Sequence, residues 1–284
     1  MPSPASRAAL IKAGQVQWAQ NIPMQQMAEL IADPNVKVER EPGTVSVKLL
    51  MHAKIEPFND VRVRKAIQLA VDFEAMNEAV FLGLGELAYS PIAPAFEGHI
   101  KVYEPVFKPE EARQLLAEAG YPDGIDITFE YADNVWWEEA VAIQLKDSAA
   151  KAGIRITLKR IPSTEMNARR GPKQRTGAFL PLATNSFVLD PAYALSLFAH
   201  STGTQNIGDY ELTEFDQLID DMIVERDHDK WLQMVADAQR QYHDQARQID
   251  VLYPGDYEVM APCIVGWQWR PVNYPHWVDL HCEN

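Results

Sequence analysis

The sequence predicts an α/β fold, and three observations carry that reading. Ile125-Asp126-Ile127-Thr128-Phe129 and Ile154-Arg155-Ile156-Thr157-Leu158-Lys159 each alternate apolar and polar residues as half-buried strands do. Between them runs a long amphipathic stretch with helical spacing, and strand–helix–strand implies a parallel pair with a right-handed crossover. Two further helical stretches follow, near Glu211 to Glu225 and Asp229 to Gln248. With 284 residues and 47% hydrophobic content, there is material for a large core in one or two domains.

Taken in order, Ala8 to Ala13 and Pro23 to Ala32 suggest two short helices, the second opened by Pro23 at its first position. Val36-Lys37-Val38-Glu39 and Val45-Ser46-Val47-Lys48-Leu49 alternate as strands around a Pro42-Gly43 turn. Pro57 keeps the next approach extended, and Asp60 stands where a side-chain oxygen caps a helix. Val63, Ile67 and Ala70 then share one face of that helix, with Arg62, Arg64, Lys65 and Gln68 between them. Asn134 is placed to cap the crossover helix from Val135 to about Lys151, and Gly153 to end it. Gly177 to Leu182 supplies a further strand. From Ile249 the tail is apolar, aromatic and punctuated by proline.

Composition excludes several classes. The formal charge is −14, from 26 basic and 40 acidic residues, and only the Arg160 to Arg175 stretch clusters positive charge. Nucleic-acid binding needs basic patches, so it is not expected; Arg169 to Arg175 reads as a solvated loop. No run of eighteen apolar residues exists for a membrane span. Met1 to Arg7 lacks the basic-then-apolar layout of a secretory signal peptide, which fits a cytoplasmic protein or an exported one whose front end is missing. Gly83-Leu84-Gly85 lacks the third glycine of a dinucleotide loop, and no nucleophile elbow, zinc-protease helix or P-loop occurs. No catalytic residue, cofactor or functional metal is expected; His276, His281 and Cys282 fit no recognised ligand spacing. Two cysteines, Cys263 and Cys282, make no disulfide framework, and they are expected to stay unpaired.

Several segments, in order, resemble one family. Pro57-Phe58-Asn59-Asp60-Val61-Arg62-Val63-Arg64-Lys65-Ala66, with Asp72 beyond it, is similar to a signature of the dipeptide- and oligopeptide-binding proteins of ABC importers, the family 5 extracellular solute-binding proteins. Ala88-Tyr89-Ser90-Pro91-Ile92-Ala93-Pro94 resembles that family's turn segment. Lys108 to Gly124, containing Leu115-Leu116-Ala117-Glu118-Ala119-Gly120-Tyr121-Pro122-Asp123-Gly124, resembles its helix and turn. Leu189-Asp190-Pro191 matches the Asp-Pro pair after the central strand.

The resemblance implies a lobe of the type II periplasmic-binding-protein class. Residues 1–56 would be a remnant of the first lobe with one hinge crossing, 57–250 the C-terminal α/β lobe, and 251–284 a return crossing and tail. Sheet partners of residues 1–56 are then expected upstream, leaving strand edges open. It further implies no enzymatic step, but capture of a small organic solute by lobe closure and delivery to an ABC permease in the membrane. Such a protein would be periplasmic or on the cell surface, and monomeric. Peptide-like, opine-like and oligosaccharide solutes are the expected classes. The alternative is a stand-alone structural or interaction protein built on this fold.

Candidate ligand contacts follow from the same resemblance. The loop from Thr184 to Asp190 lacks the Trp and ammonium-binding Asp that peptide-binding members carry there. Asn185 can bond a solute in either sense and Phe187 can supply a flat wall. Trp18, Gln20 and Asn21 match the segment facing the cleft from the first lobe. Tyr253, Tyr257 and Trp267 lie near the return crossing. Asp190 itself reads as the cap of a helix beginning at Pro191.

Overall fold

The computed structural model describes residues 4–20, 22–41, 44–133, 135, 137–169, 179–184, 188–268 and 278–283. Helix α1 (Pro4–Lys12) leads to β1 (Trp18–Ala19), and α2 (Met24–Ile31), directly after Pro23, buries Met24, Met27 and Leu30. Strands β2 (Lys37–Glu41) and β3 (Ser46–Met51) follow. Asp60 caps α3 (Val61–Leu69) by accepting from the Arg62 amide at 2.8 Å, and Asp72 caps α4 (Phe73–Phe81) through the Ala75 amide at 3.1 Å. Next come β4 (Glu86–Leu87), α5 (Pro109–Glu118), β5 (Ile125–Ala132), α6 (Glu138–Ala150) and β6 (Ile154–Ile161). The chain continues through α7 (Ser163–Arg169), β7 (Phe179–Thr184), α8 (Pro191–Phe198), α9 (Thr213–Val224) and α10 (His228–Asp244). It closes with β8 (Gln248–Tyr253), β9 (Asp256–Met260), β10 (Ile264–Val265) and β11 (His281–Cys282).

β5 and β6 pair in parallel over eight positions, from Ile125 opposite Ile154 to Ala132 opposite Ile161, as the crossover pattern predicts. Gly153, at φ +79°, turns the chain between α6 and β6; its carbonyl closes on Gly124, where a Cβ would meet that oxygen at 2.0 Å. The helix begins at Glu138, not Val135. The Glu138 carboxylate folds back to accept from the Ala132 amide at 2.7 Å, tying the start of the helix to the end of β5. Asn134, the expected cap, lies outside the described residues.

The larger sheet has strand order β4-β8-β3-β7, and a second sheet has order β1-β9-β2. β2 and β3 are consecutive in sequence yet belong to different sheets, and so are β8 and β9. Because β2 pairs antiparallel with β9 and β3 with β8, the chain crosses between the sheets twice, side by side. Pairing is interrupted between Glu41 opposite Asp256 and Val47 opposite Leu252. Pro254-Gly255 occupies this break in the second crossing, with Gly255 at φ +79°. The expectation of open edges holds only for β2, which β9 pairs over five positions on one side and which ends its sheet among the described residues; β3 is interior, flanked by β7 and β8.

The cysteine expectation is also corrected, since Cys263 and Cys282 form a disulfide. β10 and β11 pair antiparallel and bring the two Cα atoms to 4.7 Å, within bridging distance.

One apolar core runs from Ala19 and Val259 on the smaller sheet, with Val36 just before β2, through Leu49, Met51 and Ile249 to α3, α4, α6 and the β5–β6 pair. A second packs α8, α9 and α10 against the Ala88 to Phe96 segment and Tyr253. β3 is buried on both faces, which places Lys48 inside the protein. Lys48 forms an ion pair with Asp250 directly across on β8 and donates to the Pro91 carbonyl at 3.1 Å. Burial pushes the Asp250 carboxyl up and the Lys48 ammonium opposes that shift. Removing one partner strands the other charge. We therefore expect Lys48→Met to lower the unfolding free energy by about 3–5 kcal/mol. Lys48→Met/Asp250→Leu should recover most of that loss in urea titrations, and equal loss in both variants would contradict the account.

Candidate functional site

The cluster with the most convergent polar chemistry among the expected residues forms on β9. Strand alternation sends Tyr257 and Val259 into the main core and leaves Glu258 on the opposite face. Glu258 is nevertheless 2% exposed. Trp18 of β1 donates its indole N–H to Glu258 Oε2 at 2.5 Å, and Gln20 donates Nε2–H to Oε1 at 2.6 Å. Arg7 Nη1 holds the Gln20 backbone carbonyl at 2.9 Å, tying α1 to the same place. Trp267, just after β10, lies against Trp18 with ring centroids 5.9 Å apart and planes tilted by 48°. Aromatic pairs in such geometries contribute roughly 0.5–1.5 kcal/mol beyond burial. Two indoles and a carboxamide, organised by one buried carboxylate, make a surface suited to flat or apolar groups with polar edges.

Of the expected contacts, Trp18, Gln20 and Trp267 are thus brought together. Asn21, Asn185 and Phe187 lie outside the described residues. Tyr257 sits on the other face of the same strand, 8% exposed, with its hydroxyl 3.3 Å from the Leu84 carbonyl and Arg40 over its ring at 6.0 Å. Burial pushes its phenol up, opposed by Arg40. Tyr253 points into the second core, where its hydroxyl lies 2.8 and 2.9 Å from the Ser90 and Ile92 carbonyls. That contact fixes the Ala88 to Pro94 segment to β8.

Asp190 caps α8 as expected, accepting from the Tyr193 amide at 2.9 Å. Beside it an open recess of about 290 Å³ is lined by Glu97, Glu225, Arg226, His228 and Trp231. Three bonds to Glu225, led by the Lys230 ammonium and including the Asp227 and Arg226 amides, hold its carboxyl down at about 2. A second space, about 30 Å³, lies between Ser46, Lys48, Phe96, Leu195 and Tyr242; it is water-sized, too small for a solute. Among the described residues no group of three or more His, Cys, Asp or Glu side chains could hold a metal ion.

Sequence reasoning missed Glu258. Its one available signal is an acidic residue in the otherwise apolar stretch Tyr257-Glu258-Val259-Met260, which asks for a buried donor partner.

Two sheets joined by a paired crossing, with helices packed on their faces, define the fold of type II periplasmic peptide-binding proteins. Residues 1–206 match the family model described as bacterial extracellular solute-binding proteins, family 5 middle, and the chain belongs to that family. It is 26% identical to heme-binding protein A of Haemophilus influenzae over 282 residues, 96% of this chain and 51% of that protein. It is 30% identical over 154 residues to the glutathione-binding protein GsiB of Salmonella choleraesuis, covering 54% of this chain and 30% of the relative. The solved structure of the periplasmic binding protein DppA from Helicobacter pylori, in complex with peptide STSA, superposes with TM-score 0.89 at 20% identity. That match covers 100% of this chain and 56% of DppA. The chain thus spans about half the length of relatives matched along its whole extent. No helix among the described residues is long and apolar enough to cross a membrane.

Replacing Glu258 by Ala leaves the Trp18 and Gln20 donors without this acceptor. The expected loss is about 1–3 kcal/mol of unfolding free energy, with a smaller loss for Glu258→Gln. Urea unfolding followed by tryptophan emission reads both; an unchanged midpoint in Glu258→Ala would remove the cluster's organising role.

Proposed function

We infer that this chain is the C-terminal lobe and hinge of an extracytoplasmic solute-binding component of a peptide-type ABC importer. It captures a small organic solute by lobe closure and hands it to a membrane permease. The observation that carries this reading is the paired crossing, β2 to β3 and β8 to β9, in which pairing is interrupted between Glu41 opposite Asp256 and Val47 opposite Leu252. Two adjacent short breaks let two sheets rock about one axis while the ladders on either side stay intact. A solute held between them stabilises the closed population because only that state buries it on both sides. The solute-facing residues proposed are Trp18, Gln20 and Asn21 in and after β1, Trp267 after β10, and Asn185 and Phe187 from the loop before α8, while Tyr253 and Tyr257 are taken up by the two cores. Relatives named for haem and glutathione and a structure holding a peptide support an organic solute as cargo. The fold carries this function without a catalytic step, as a monomer in the periplasm or at the cell surface.

The alternative is a stand-alone interaction protein built on this fold without high-affinity capture. One experiment separates the two. Native mass spectrometry and thermal shift are run with haem, glutathione, a dipeptide, a tetrapeptide and an opine. Solute capture predicts that at least one raises Tm, and that Trp267→Ala weakens that binding about tenfold, the scale of one lost anchoring contact. A folded protein that binds none of the panel selects the interaction reading.

A further inference from the structure

We propose that the turn Gly83-Leu84-Gly85 is a catch across the hinge. The Leu84 carbonyl, fixed on the larger-sheet side of the break, accepts from Arg40 and Tyr257 on the smaller-sheet side and holds the two sheets in one relative position. The inference rests on the reading of the paired crossing as a hinge. Arg40 of β2 and Tyr257 of β9 stand directly opposite each other, one position from the last pair before the break, Glu41 opposite Asp256. Opposed residues share a face of the sheet. From that face Arg40 Nη2 donates to the Leu84 carbonyl at 3.0 Å, and the Tyr257 hydroxyl donates to the same oxygen at 3.3 Å. The guanidinium lies 6.0 Å from the Tyr257 ring centroid. One oxygen thus spends both lone pairs on donors from two strands.

The acceptor is held rigidly and belongs to the other side. The turn connects α4 to β4, and β4 pairs with β8 in the larger sheet, Leu87 opposite Leu252. Leu82 and Gly83 take φ of +57° and +68°, which turns the chain at the end of α4. Asn77 of α4 closes the turn: its Nδ2 donates to the Gly85 carbonyl at 2.9 Å, and its Oδ1 accepts from the Gly85 amide at 3.1 Å. The Leu84 amide donates to the Phe81 carbonyl at 3.0 Å. A Cβ at Gly85 would meet Asn77 Oδ1 at 2.7 Å and Leu252 Cδ1 at 3.1 Å. The turn therefore lies against the β8 residue at which pairing resumes beyond the break.

This contact differs in kind from the packing around it. The apolar core also passes the break, but apolar contact is non-directional and tolerates sliding. A carbonyl with two donors is satisfied in a narrow range of geometry. Rocking of the smaller sheet carries both donors off the Leu84 oxygen together, and the buried Tyr257 hydroxyl then lacks this acceptor. A solute that selects another arrangement has to release the catch, which takes up part of its binding free energy.

The test is pulsed electron double resonance on the full chain, with nitroxides carried on p-acetylphenylalanine at the exposed Glu29 of α2 and Glu110 of α5, leaving the cysteines untouched. A second pair, Glu110 with Asp220 of α9, reports on the C-terminal lobe alone. Arg40→Met/Tyr257→Phe removes both donors. The catch predicts that this variant shifts the ratio of two arrangements about tenfold, the scale of one or two net hydrogen bonds, so a minor distance of about 1% rises to about 10%. The Glu110–Asp220 distribution should stay as in the wild type. An unchanged Glu29–Glu110 distribution in the variant overturns the catch. Broadening of both pairs overturns it too, because the two residues would then hold the fold and not the hinge. Glutathione, a dipeptide, a tetrapeptide, an opine and zinc protoporphyrin, in place of haem, are added to the wild-type protein in parallel. If a solute moves the Glu29–Glu110 distance and the variant does not, the catch fails and the hinge reading stands. If neither moves it, both fail.

Discussion

The crossing of the chain between two sheets, made twice and side by side, is the constraint on which the rest of the structure depends. β2 leads into β3 and β8 into β9 across the break, so the two ladders are tied together at both crossings. The cross-strand Lys48–Asp250 pair sits immediately on one side of the break, and the Glu258 cluster immediately on the other. Both are charged groups enclosed by protein and satisfied by specific partners, and such groups tolerate few alternative registers. A one-residue slip of β8 would carry Asp250 away from Lys48 and turn Tyr253 away from the Ser90 and Ile92 carbonyls.

Acidic composition also does structural work beyond solubility. Asp60, Asp72, Asp190 and Asp227 each cap a helix by accepting a backbone amide near its start. At each helix start the carboxylate both satisfies an otherwise orphaned N–H and faces the positive end of the helix dipole. Asp190 lies beside the loop expected to meet a solute, so its capping role accounts for its position.

Much of the fold was legible because it rests on local patterns. Alternation marked β5 and β6, helical spacing marked α3, α9 and α10, and an Asp-Pro pair marked the start of α8. What was not legible depends on partners remote in sequence. Val45 to Leu49 reads as a one-sided strand with Ser46 and Lys48 outward, because nothing nearby shows that α10 and the Pro91 segment cover that face. The pairing of β2 with β9 joins residues more than two hundred positions apart, so the edges looked open. The disulfide is of the same kind: two isolated cysteines give no spacing signal, and only the β10–β11 ladder brings them together. At the candidate site, Trp18, Gln20 and Trp267 were named in advance, but the residue that organises them, Glu258, was hidden in an apolar strand.

This contrast explains why family and solute are legible to such different degrees. The motif residues that carry the resemblance are occupied with packing. Arg64 sends its guanidinium to the Phe58, Gln245 and Ala246 carbonyls, fastening α3 to the end of α10, and shares the Tyr210 ring with the buried Arg247. Tyr253 pins the Ala88 to Pro94 segment, and Ser90 within it bonds Gln239 at 2.6 Å. Buried hydrogen-bonding groups like these cannot be exchanged without leaving a partner unsatisfied, which keeps the signature the same whatever the cargo. Solute contacts carry no such obligation toward the fold. Trp18 and Gln20 are oriented instead by Glu258, a buried carboxylate outside the motif residues, so the cluster and the signature are held by separate sets of bonds.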